Sequence, residues 1–120
     1  MADQLNLEEL LALSPEIRYV STNFGGEVRM SSRPDLANPS STESDLYEEL
    51  LVNPALLNLT VNRGAIDCGG LEFLVIRYGS FFQIVQPVRG GHVSVAVEPS
   101  GNPLIIAAQV RELLQQKGLC

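Results

Sequence analysis

The chain has few of the residues on which catalysis and metal binding depend, with one histidine and two cysteines in 120 residues. Zinc sites draw on several converging Cys, His or carboxylate side chains. His92 with the remote Cys68 and Cys120 matches no such spacing, so neither a metal nor another cofactor is expected. Basic residues are scarce as well, eight Lys and Arg against fourteen Asp and Glu. Without a Lys/Arg cluster interleaved with aromatics there is no phosphate-tracking groove, which argues against nucleic acid as a partner. The apolar runs fall far short of the ~20 residues of a membrane span, and the start Met-Ala-Asp-Gln carries neither a basic nor an apolar stretch. The expectation is a cytoplasmic protein with no membrane partner. Its thiols should be reduced, because a disulfide ending at Cys120 would be a poor staple.

What is present is ordinary core-forming material: 45% hydrophobic residues, but only 18% charged, below the usual quarter. A chain of this length buries roughly two-thirds of its unfolded surface, enough for one domain spanning 1–120. The net charge of −6 is uneven. Residues 1–60 hold ten acids against three bases, whereas residues 61–120 hold four against five. A surface short of charge is suited to patches that meet a partner.

Along the chain the apolar period switches repeatedly between helix and strand. Asn6 with Glu9 reads as a capping box before Leu7, Leu10 and Leu11, and Ser14-Pro15 ends that helix. Ile17, Tyr19 and Ser21 fall on one side of a strand that turns at Phe24-Gly25-Gly26 into a second, a β-hairpin. Residues 31–43 are rich in Ser, Pro and Asn and read as an exposed, mobile loop. Thr42 with Asp45 signals the next helix, in which Leu46, Tyr47, Leu50 and Leu51 form the apolar face and Glu48-Glu49 the solvent face. Asn53-Pro54 ends it and caps another, over 54–67, the pair acting as two helices or as one broken helix.

In that 54–67 helix Leu56, Leu57, Leu59, Val61, Ala65, Ile66 and Cys68 point nearly all round the axis, so it must be covered on more than one face. Gly64 in its interior costs about 1 kcal/mol relative to Ala, which suits a close backbone approach, and the expected neighbour is the same helix of a second copy. Three strands follow, Leu71–Tyr78, Phe81–Val88 and His92–Glu98, joined by glycine turns. Val93, Val95 and Val97 oppose His92, Ser94 and Ala96, while the first of the three is apolar on both faces. Asn102-Pro103 opens a last helix with Ile106, Val110, Leu113 and Leu114 as its stripe and Gly118 as its stop.

This order, with the helix end R-G-A-I-D-C-G-G, the strands F-L-V-I-R-Y-G and F-F-Q-I-V-Q-P-V, and the closing G-H-V-S-V-A-V-E-P-S-G-N-P, resembles the roadblock family, the dynein light-chain type of small domain. The resemblance covers nearly the whole chain, best over residues 64–113. It implies an α/β (α+β) fold: a single five-stranded antiparallel sheet in the order 2-1-5-4-3 flanked by helices. It also implies a homodimer in which the middle helix and third strand pair across a two-fold axis. The interface residues would be Leu57, Val61, Gly64, Leu71, Phe73 and Val75. Bacterial and archaeal members are often regulators or scaffolds of small Ras-like GTPases; eukaryotic ones bind motor-complex chains or signalling scaffolds.

Enzymatic readings are weaker. Cys68 with His92 would make a thiol dyad, but Cys68 falls at a helix C-terminus, whose partial negative charge opposes a thiolate. The alternative is a small buried residue before a Gly-Gly cap. The three Gly-Gly pairs lack the residues of a phosphate loop. Arg63 and Asp67 are spaced as an intrahelical pair, and Tyr78, Phe81 and Phe82 cluster at one turn, as either core or docking patch. No residue takes a catalytic role. The leading expectation is a non-catalytic adaptor or regulator. The alternative is a profilin-like or PAS-like sensor with a small ligand in a pocket between sheet and helix.

Overall fold

The computed structural model describes residues 5–120 of the chain. Its elements run α1 (Leu7–Leu11), β1 (Ile17–Phe24), β2 (Glu27–Ser32), α2 (Thr42–Tyr47), a π-helical turn (Glu48–Val52), α3 (Asn53–Asp67), β3 (Leu74–Arg77), β4 (Phe82–Val88), β5 (Gly91–Val97) and α4 (Pro103–Gln116). The strands form one sheet in the order β2-β1-β5-β4-β3, as expected from the resemblance, with every adjacent pair antiparallel.

One face of the sheet carries the apolar core. Val20, Ile84, Val93, Val95 and Val97 pack with Leu7, Leu10 and Leu11 of α1 and with Ile106, Ala107, Val110 and Leu114 of α4. Asn6 caps α1 by accepting from the Glu8 N–H at 2.8 Å. Glu9 does not complete a capping box; its carboxylate pairs instead with Lys117 at 3.0 Å. Asn102 caps α4, accepting from Leu104 and Ile105. Gly118 ends that helix at φ +73°, a left-handed conformation glycine adopts freely, and it folds Leu119 back into the core.

Several boundaries differ from the sequence reading. The register between β1 and β5 shifts between Ile17 and Tyr19. This bulge puts Ile17 in the core with Val20 while Tyr19 turns to the opposite face, so the two do not share a side. The exposed loop shrinks from 31–43 to the stretch between Ser32 and Thr42, since β2 continues to Ser32 and Ser41, not Thr42, caps α2. Arg33 and Arg18 hold this loop to the body. The Arg33 guanidinium donates to the carbonyls of Leu11, Ser14 and Ile17, and that of Arg18 to those of Ala37 and Asn38.

Candidate functional site

The α2–α3 region is one continuous helix with a wide turn in its middle, and Pro54 explains the turn. Proline has no N–H, so the bond from residue 54 to the carbonyl four back cannot form. The helix widens instead, with the Asn53 N–H reaching the Glu48 carbonyl five residues back. The carbonyl of Glu49 is then free, and the Asn23 side chain of β1 donates to it at 2.9 Å. One extra residue in a turn rotates the side chains before it by about 100° relative to those after it. That rotation reverses the expected faces. Glu49, expected in solvent, is 0% exposed, whereas Leu50 and Leu51, expected inside, stand outside. Asn53 is not a cap either but a buried helical residue.

Beneath the turn the sheet's second face supplies Glu49 with donors. The Tyr19 hydroxyl donates to Oε2 at 2.7 Å. Ser94 Oγ and His92 Nε2 each lie 2.7 Å from Oε1, and Asn53 Nδ2 donates to both Oε1 and Ser94 Oγ. Burial alone would raise the Glu49 pKa, but the bonds from His92, Tyr19 and Ser94 outweigh it and hold the carboxyl below its usual range. With the carboxylate ionised, His92 Nε2 carries the proton that it donates. Burial, and then the Glu49 charge, push the Tyr19 phenol well above its ordinary value. Ser94 bonds the carboxylate directly and not the imidazole, and all three are buried, so this is no nucleophile–base pair. It is a polar key that fixes the register of the helix on the sheet.

The outer side of the same helix is bare. Leu51, Ala55, Leu59, Asn62 and Ile66 recur three or four residues apart, all exposed, Leu59 at 67% and Ile66 at 75%. β3 is an edge strand of the sheet. Of the residues expected at an interface, Val61 and Val75 are exposed, Leu71 is half-buried and Phe73 packs partly on the core. Leu57 and Gly64 are turned inward. Leu57 is buried against the body, and a side chain at Gly64 would meet Gly70 and Leu71 of the same chain at 3.0 Å. The close backbone at Gly64 is therefore the chain's own: the Gly64 carbonyl accepts from the N–H groups of Cys68 and Gly70. Cys68 is exposed rather than buried, and the only histidine is engaged by Glu49. Arg63 and Asp67 form the intrahelical pair at 2.6 Å, both exposed.

Two clefts flank the π turn, each of about 410 Å³. One is lined by Tyr19, Asp45, Tyr47, Glu48, Tyr78, Phe81 and Gln83 among others. The second lies between the Gly25-Gly26 and Gly90-Gly91 turns and reaches His92. In the first, burial raises the pKa of Asp45 and of Glu48, and burial with the neighbouring Glu48 pushes Tyr78 up to about 12. Among the described residues no cluster of His, Cys, Asp and Glu could hold a metal ion, and no helix is long and apolar enough to cross a membrane.

A five-stranded antiparallel sheet in this order, with α1 and α4 on one face and the α2–α3 helix on the other, is the roadblock/LC7 fold. Solved structures agree over most of the chain. The roadblock/LC7 domain from Streptomyces avermitilis superposes with a TM-score of 0.70 at 12% identity, covering 92% of this chain and 89% of that one. The gliding protein MglB from Thermus thermophilus gives 0.65 at 13% identity, over 88% and 78%. MglC from Myxococcus xanthus gives 0.61 at 11% identity, over 97% and 96%. No family model and no curated protein matches the sequence.

Proposed function

We propose that this protein is a non-catalytic homodimeric adaptor or regulator that binds another protein, and that its bare helix face and β3 form the contact with its second copy. The observation that carries this is the inverted helix: the Glu49 carboxylate is buried, while Leu50, Leu51 and Leu59 are outside. Exposed apolar stripes of this length are uncommon on monomers and mark interaction sites. A two-fold contact would bring the stripe against itself and let β3 pair with its own copy, extending the sheet and removing an open edge. Val61 and Val75 belong to that contact, with Leu59 and Ile66 added and Leu57 and Gly64 left out. The partner we propose is a small Ras-like GTPase, in keeping with the sequence resemblance. No arginine here stands out as a finger, so any effect on hydrolysis would come from ordering the GTPase's own residues.

Hydrogen exchange tests the contact. If β3 pairs across a two-fold axis, alternate amides within Leu74–Arg77 exchange more slowly as protein concentration rises. Exchange there that is fast and independent of concentration would contradict the reading.

A further inference from the structure

The cleft beside the π turn has the makings of a ligand site distinct from the bare helix face. Its walls hold four aromatic side chains, Tyr19, Tyr47, Tyr78 and Phe81, with the last two rings 5.5 Å apart. Two carboxylates share the space. Asp45 accepts from the Ser40 hydroxyl at 2.6 Å, and Glu48 from the Tyr78 hydroxyl at 3.0 Å. Both keep acceptor capacity to spare, since an ionised carboxylate offers about four lone-pair sites. Among the described residues no Lys or Arg pairs with either carboxylate. Arg18, whose guanidinium lies 5.6 Å from the Phe81 ring, is tied to Glu98 and to the Ala37 and Asn38 carbonyls.

An independent observation points to an occupant. Gln83 lines this cleft from β4, is 1% exposed, and its Nε2 has no hydrogen-bond partner. A buried donor left unmade is costly, and an acceptor entering the cleft would relieve that cost. Aromatic walls with adjacent carboxylates favour a methylated ammonium, whose diffuse charge suits ring faces and needs no hydrogen bond of its own. A volume of about 410 Å³ lies within the range of small-molecule sites.

We propose that this cleft binds a small organic cation, a methylated ammonium seated among Tyr47, Tyr78 and Phe81 near Asp45 and Glu48, with a carbonyl accepting from Gln83 Nε2. Acetylcholine is a suitable probe of that chemistry. Choline lacks the carbonyl, and 3,3-dimethylbutyl acetate has the same shape without the charge. Titrated onto the intact chain and followed by amide chemical shifts, acetylcholine should give saturable changes centred on Asp45, Tyr47, Tyr78, Phe81 and Gln83. The uncharged isostere should bind at least about tenfold more weakly, and Gln83→Met should reduce the preference for acetylcholine over choline. Three results overturn the proposal: no saturation at concentrations on the order of 10 mM, equal affinity for the uncharged isostere, or changes centred outside these residues. The comparison of wild-type affinities stands even if Gln83→Met fails to fold.

Discussion

Under α1 and α4 the sheet presents Val20, Ile84, Val93, Val95 and Val97, met by Leu10, Val110 and Leu114; under the π turn it presents Tyr19, Asn23, His92 and Ser94, met by Glu49 and Asn53. The first face is held by non-directional burial, which tolerates small shifts of the helices. The second is held by five side-chain bonds from the sheet and helix to one residue, Glu49, and these tolerate almost none. Because the polar key docks the α2–α3 helix at Glu49, Leu50, Leu51 and Leu59 are not needed underneath. They are left for the outside, where only another molecule can cover them.

Cutting the key should have the largest effect. Glu49→Ala leaves several donors buried without an acceptor, and we expect a loss of about 3–5 kcal/mol in urea unfolding; a loss below about 1 kcal/mol would mean that the cluster is ornamental to stability. On the other face, Leu10→Ala opens a cavity and should cost about 3 kcal/mol. The two losses should differ in kind, since only the first responds to pH.

That response has a definite sign. The folded-state pKa of Glu49 lies below its unfolded value of 4.5, so its contribution is present above about pH 4.5 and is lost as pH falls through the lower folded value. Asp45 and Glu48, raised by burial, act in the opposite direction. Glu49→Gln should therefore flatten the acid-side loss, and Asp45→Asn should steepen it. At the alkaline end Tyr19, raised above its unfolded value of 10.0, predicts stability falling once pH exceeds about 10. A pH series of unfolding midpoints that is unchanged in Glu49→Gln would remove the key from this account.

The smallest effect belongs to the bare stripe. Leu59→Ser and Ile66→Ser touch little of their own chain and should move monomer stability by no more than about 0.5 kcal/mol, measured at concentrations where copies do not associate. A larger loss would mean that the stripe already has a place in the fold.

Much of the architecture was legible beforehand because it rests on period and punctuation: the glycine turns, the Asn102 cap, the alternation in β5 and the element order that carried the family resemblance. The inverted helix was not legible, because Leu46, Tyr47, Leu50 and Leu51 have good helical spacing only if the turn is regular. Pro54 was the available signal. In the sequence it suggests two helices or one broken helix, and the chain continues through it by widening one turn and borrowing a donor from Asn23. Gly64 taught a similar lesson. A backbone does pass close to Gly64, but it is the chain's own Gly70-Leu71 and not that of a second copy. In β1 a bulge invisible to period-two reading separated Ile17 from Tyr19.

Solution mass by light scattering, on the wild type and on Leu59→Arg, tests most directly whether the bare face joins two copies. The account predicts twice 13.0 kDa for the wild type and 13.0 kDa for Leu59→Arg, with the variant still folded. A wild type at 13.0 kDa, or a variant that keeps the doubled mass, would contradict it.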